Sequence, residues 1–160
     1  MEQKYIYSFS QIEDKVKALH ETNTEAAAAV ALSWLGLSRD ELKTLRVSDY
    51  NSTMRMLHSA GRVVYVREDL IADMLKAICE EAPEYSMGFY ITDVNSAYEA
   101  AEKQELSPIS VLKMRYFYEK HSAKLSGEPE DRVFLKEILR SVGESEVDME
   151  KQFAEYEKDA

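Results

Sequence analysis

The sequence predicts a mainly α fold with one small antiparallel β-ribbon, an α+β arrangement in which helices dominate. Three observations lead there. Glycine and proline are scarce, at 5 and 3 of 160 residues, so few positions break a helix or force a loop. Helix-start sequences recur ahead of runs with helical apolar spacing. One stretch, 53–67, abandons that spacing for Val, Met, Thr and Tyr around a central glycine.

The elements follow in order. Ser10 with Glu13 three residues on is a capping-box pattern, and Ile12, Val16 and Leu19 behind it share one helix side. Asn23 or Thr24 opens a second helix that stops at Gly36, and its alanine-rich body suits a central helix that neighbours approach closely. Ser38 and Glu41 form another capping box ahead of Leu42 and Leu45. Segments 53–58 and 62–67, separated by Ser59-Ala60-Gly61, read as a β-hairpin. Leu70, Met74, Ala77 and Ile78 restore helical spacing as far as Pro83. Met87-Gly88-Phe89-Tyr90-Ile91 is a short strand candidate, and 96–106 a helix. Ser107-Pro108 is a strong helix start, a capping serine before a proline in the first turn, and that helix runs to about Leu125 before Ser126-Gly127. Segments 131–141 and 145–158 are the last two helices, split by Gly143.

The length fits one domain over 1–160, with 1–22 as an N-terminal helix and lead-in and 145–160 as an acidic C-terminal helix. Cys79 is the single cysteine, so no internal disulfide forms, and a cytoplasmic location is expected. No apolar run approaches a membrane span, and the start is unlike a signal peptide. His20, His58 and His121 lie far apart without ligand spacing, so neither a metal nor a cofactor is expected. There is no phosphate-binding glycine loop and no nucleophile elbow.

A net charge of -10 argues against indiscriminate coating of DNA, which relies on Lys and Arg displacing counterions. The charge is uneven. From Arg39 to Arg67 six basic residues face three acids, whereas from Ser126 onward eleven acids face five bases. A local basic face therefore remains available.

The strings in this order resemble the catalytic domain of the tyrosine recombinase (phage integrase) family. Residues 29–50, with Gly36-Leu37-Ser38-Arg39 and Glu41-Leu42, are similar to the family's apolar helix, its "TGLR-x-x-EL" turn and "L-x-W-x-D". The hairpin sits where the family has its β-ribbon, and Arg67-Glu68-Asp69-Leu70 resembles the "P-x-x-L" helix entry. Phe89-Tyr90-Ile91 takes the place of its short "LF" strand. Leu106-Ser107-Pro108 resembles the start of "LTPHDLRHTFAT", and Val142-Gly143-Glu144-Ser145 resembles "LGHSS". The likeness runs from Ala26 to about Tyr156; only about 25 residues precede it, fewer than the family's separate core-DNA-binding domain needs.

The resemblance implies a tyrosine nucleophile with two Arg, a Lys and His-type residues balancing the charge of the phosphoryl transition state. This sequence departs from that set. Ser38 stands at the first arginine position, with Arg39 turned about 100° away along the helix. His58 and Arg62 are the basic groups nearest the ribbon lysine. The "HxxR" pair falls on Ile109 and Leu112, or with one residue of slippage on Ser110 and Lys113. Glu144 replaces the later His, and Phe153 occupies the nucleophile position, with Tyr156 one turn further as a displaced nucleophile. Losing one charge-stabilising donor typically costs about 10²–10³ in rate, so the expectation is a degenerate, non-cleaving relative.

Arg39, Lys43, Arg46, Arg62, Lys113, Lys120 and Lys124 are the DNA-binding candidates, each also readable as solvated surface. Met149, Phe153 and Tyr156 form an apolar stripe that either closes the chain's own core or, as in the family, contacts another protomer. Three functions compete: an integrase-like protein of a phage or mobile element that binds duplex DNA weakly or regulates an active integrase; an acidic module docking on a basic nucleic-acid-handling protein; and a working recombinase fragment using Tyr156.

Overall fold

The computed structural model describes residues 9–59, 61–81, 91–126 and 130–159. Helix α1 spans Phe9–Thr22 and buries Ile12, Val16 and Leu19. Ser10 lies inside its first turn, so it is not the N-cap that its spacing with Glu13 predicts. Helix α2, Thr24–Trp34, is capped by Asn23, whose Oδ1 accepts the Ala26 N–H at 3.0 Å. Every residue from Ala26 to Trp34 is buried, so α2 is enclosed on all sides, and its alanines let other helices come close.

Helix α3, Arg39–Thr44, begins with the expected capping box. Ser38 Oγ accepts the Glu41 N–H at 3.2 Å, and Glu41 Oε1 accepts the Ser38 N–H at 3.1 Å. A 3₁₀ turn, Val47–Asp49, leads into β1 (Tyr50–Asn51), β2 (Met56–Ser59) and β3 (Arg62–Tyr65), antiparallel in the order β1-β2-β3. The ribbon is shorter than the sequence suggests. Thr53 and Met54 sit in a turn held by the Met54 N–H to Asn51 Oδ1 bond, and Arg55 turns the chain with φ 52°. Strand β1 was not anticipated, because two residues cannot show an alternation.

Helix α4 is Asp69–Glu81. The strand candidate at 87–91 lies outside the described residues apart from Ile91, which is buried without being a strand. Helix α5, Val94–Lys103, starts two residues before the expected Ser96 because Asp93 caps it. Asp93 accepts the Ser96 N–H at 3.1 Å and the Ser96 hydroxyl at 2.8 Å, and these bonds hold its carboxyl below the ordinary value. Helices α6 (Pro108–Ser126), α7 (Glu130–Val142) and α8 (Glu146–Asp159) complete the chain.

Two apolar clusters form. The larger gathers α1, α2, α4, α5 and the hairpin's inner face, reaching Val111 and Met114 of α6. The smaller joins Leu112, Tyr116 and Phe117 of α6 to Ile138 of α7 and Met149 of α8. Helix α6 therefore carries core residues on two sides and positions everything that follows.

Candidate nucleic-acid interface

Lys113, Lys120 and Lys124 share one side of α6, the side the resemblance implies faces DNA. How the chain returns to that side decides its chemistry. Gly143, at φ 72°, ends α7, and the N–H groups of Gly143 and Glu144 both bond to the Leu139 carbonyl, at 3.0 and 3.3 Å. That turn delivers Glu144 to α6, where its Oε1 accepts from Lys113 Nζ at 3.1 Å. Gln152 of α8 closes the triangle: its Oε1 accepts from Lys113 Nζ at 3.4 Å while its Nε2 donates to Glu144 Oε2.

Two turns along α6, Lys120 Nζ bonds Glu146 Oε1 at 2.7 Å, Glu150 Oε1 at 2.8 Å and the Tyr116 hydroxyl at 3.3 Å. Burial by itself would lower the Lys120 ammonium, but the hydrogen bonds it donates to Glu146 and Glu150 outweigh it and hold the pKa above its ordinary value. Glu146 is correspondingly pulled down by its bond to Lys120. Burial pushes the Tyr116 phenol up. Two ammonium groups thus meet three carboxylates. Both cations are already engaged by anions of their own chain, and a phosphate would have to displace them.

Apolar packing supports the same docking. Met149 is wholly buried among Leu112, Tyr116, Phe117 and Ile138, and the Phe153 ring lies 5.2 Å from that of Phe117. Met149 is enclosed by the chain's own cluster, and Phe153 is half-buried beside it. The Tyr156 side chain is outside the described residues, as are those of Lys124 and Arg62.

Of the positions that the resemblance implies, Lys113 meets Glu144, and Phe153 packs one turn along α6 against Phe117. Of the two alternatives for the "HxxR" pair, Leu112 is buried in the smaller cluster and Ile109 is exposed, while Ser110 and Lys113 are half-buried. Ser38 serves as the α3 cap, and Glu41 Oε2 accepts the Ser59 hydroxyl at 2.8 Å, which ties the hairpin to α3. Arg39 turns to α5, donating to Asn95 Oδ1 and lying 4.9 Å from the Tyr98 ring centroid. Lys43 is exposed, and Arg46 is half-buried, its N–H bonded to Asp49 Oδ2 at 2.8 Å.

One group escaped the sequence reading. Arg115, the single arginine of α6, is buried, with its Nη1 3.1 Å from Glu68 Oε1 and its guanidinium 5.1 Å from the Trp34 ring centroid. It sits four residues after buried Val111, and a charge in a core-facing helical row signals a buried partner. Among the described residues no three His, Cys, Asp or Glu side chains gather as a metal site, and no helix is long and apolar enough to cross a membrane.

No protein-family profile matches this chain, and neither does any curated protein sequence. Among solved structures, the chain is similar to the crystal structure of XerA recombinase, with 13% identity and a TM-score of 0.59. The match covers 96% of this chain and 60% of the recombinase. At that identity the likeness shows the fold: a tyrosine-recombinase catalytic-domain-like arrangement of helices around a small three-stranded antiparallel sheet.

Proposed function

We propose that this chain is an integrase-like protein of a phage or mobile element, related to DNA recombination, that does not cut DNA and retains weak duplex binding or a regulatory role. The observation that carries this reading is the closure of Lys113 and Lys120 by Glu144, Glu146 and Glu150. A cleaving site needs free cationic donors aimed at the phosphate, each worth roughly 10²–10³ in rate. The resemblance implies an arginine, a histidine and a tyrosine where Ser38, Glu144 and Phe153 stand, and a second arginine at Leu112 or, with one residue of slippage, at Lys113. Residues 1–160 act together as one catalytic-domain-like unit on this reading. The remaining duplex contact falls to Lys43, Arg46, Arg62 and Arg67, with Arg39 in the same basic segment, and it is weak because the chain as a whole repels the phosphate backbone. Gel shifts with labelled duplexes at low and moderate salt test it: retardation at low salt that disappears at moderate salt is expected, and no retardation of any duplex at low salt refutes the DNA contact.

The second reading, an acidic module that docks on a basic nucleic-acid-handling protein, draws on the acidic excess after Ser126 and the exposure of Glu146, Asp148 and Glu155. Capture of a basic partner that is released by salt and by Glu→Gln changes at Asp148-flanking Glu146 and at Glu155 favours it over the first.

A further inference from the structure

Helix α8 and the residues leading into it are strongly acidic. After Gly143, seven acids against two bases give a net charge of -5, half of the chain's -10. Three of those acids face α6. Glu144 Oε1 lies 3.1 Å from Lys113 Nζ, and Glu146 Oε1 and Glu150 Oε1 lie 2.7 and 2.8 Å from Lys120 Nζ. With these contacts made, the two lysine side chains are only 23% and 16% exposed. Seven residues of helix set Lys113 and Lys120 about 10 Å apart on one side of α6, about three base-pair steps along one strand of a duplex. A carboxylate and a phosphate offer an ammonium the same partner, an anionic acceptor. The apolar hold on α8 is narrow. Among the described side chains, Met149 and Phe153 make its contacts with the smaller cluster, and Val147 is 63% exposed.

We propose that α8 is an acidic latch: together with Glu144 it holds Lys113 and Lys120 in the place of duplex phosphates, and its departure from α6 uncovers a duplex contact additional to the basic segment 39–67. The inference rests on the duplex reading of the chain and adds a regulated contact to it. Undocking acts twice. It frees two ammonium groups on one side of α6, and it moves a net charge of -5 away from them. The coupling is reciprocal, so the factor by which undocking raises duplex affinity is the factor by which bound duplex favours undocking. The gain comes from phosphate contacts and therefore shrinks with salt.

The test compares duplex affinity across a salt series for three full-length chains: the parent, a latch variant with Glu144→Gln, Glu146→Gln and Glu150→Gln, and a control with Glu21→Gln, Glu99→Gln and Glu102→Gln. The control carries the same change in net charge at exposed positions away from α8. The latch variant is expected to bind roughly tenfold more tightly than the parent at low salt, with a plot of log K against log salt steeper by about 1.8, the mark of two added phosphate contacts. The control should stay within about twofold of the parent, and Lys113→Gln with Lys120→Gln added to the latch variant should remove its gain. A second measurement uses the parent alone, so the proposal remains open to refutation even where the triple variant folds poorly: saturating duplex at low salt should speed amide exchange in α8. Equal affinities of latch variant and control, an unchanged salt slope, or α8 exchange that bound duplex leaves unaltered would each overturn the latch. A parent that fails to retard any duplex refutes the duplex reading, whereas a parent that binds while the latch variant gains nothing refutes the latch alone.

Discussion

Replacing Glu68 by Gln removes one charge from a pair that the fold encloses almost completely. Glu68 and Arg115 have side chains 12% and 9% exposed and are joined at 3.1 Å. Two unit charges at that separation attract by about 5 kcal/mol at an effective dielectric of about 20. Desolvation offsets much of that, yet removing one member of a buried pair costs about 3–5 kcal/mol because the other charge is left uncompensated. Gln keeps an acceptor for the guanidinium, and Arg115 retains its contact with the Trp34 ring, so the expected loss is about 2–3 kcal/mol. For a domain of this size that lowers Tm by roughly 5–10 °C. Urea and thermal unfolding measure it, with Arg115→Met added in the same chain as the decisive companion. The double variant is expected to recover about half the loss, because the buried charge left facing position 68 is gone. A single variant within about 0.5 kcal/mol of the parent, or a double variant worse than the single, would refute the assignment of Arg115 as a structural cation.

Other expectations concern the docking of α8. Met149→Ala empties a fully buried site between α6, α7 and α8 and should cost about 2–4 kcal/mol in urea unfolding; a loss under about 1 kcal/mol would mean the cluster collapses freely or does not form. Gly143→Ala forces a side chain into φ 72°, and although the added Cβ meets open space, about 1 kcal/mol of stability should be lost together with faster amide exchange in α8. The hold of α8 on α6 should also follow pH. Glu146 is depressed below its ordinary 4.5, so its contribution is present above that value and disappears as pH falls through the lower folded value. Lys120 is raised above its ordinary 10.5, so its contribution is present below that value and is lost as pH rises through the raised one. Hydrogen exchange of α8 amides should therefore be slow between about pH 5 and 10, after correction for intrinsic rates, and quicken on both sides; protection unchanged down to pH 3 would contradict the ion pairs.

The architecture was legible wherever local chemistry alone decides structure. Asn23, the Ser38–Glu41 box and Ser107-Pro108 mark helix starts that form as read, because a cap needs only neighbours in sequence. The same logic misled at Ser10, where the helix already includes Phe9, and at Asp93, a cap passed over in favour of Ser96. Glu25 of α2 accepts the Thr92 N–H at 3.1 Å and so helps place the start of α5, a contact 67 residues apart that no local pattern reveals. The candidate site was half legible for the same reason. The lysine row on α6 follows from helical spacing, but the pairing of Lys113 and Lys120 depends on a return of the chain through Gly143 that brings Glu144, Glu146, Glu150 and Gln152 onto them. Arg115 went unread although it is a charge in an apolar helical row, because its partner Glu68 lies 47 residues earlier.

The proposal that this chain does not cut DNA rests on the pairing of Lys113 and Lys120 with the chain's own Glu144, Glu146 and Glu150. Incubating the full chain with nicked and supercoiled DNA, denaturing, and looking for a protein–DNA covalent species tests it most directly. The account predicts no adduct at any salt concentration. An adduct that forms with the parent chain and vanishes on Tyr156→Phe would contradict it.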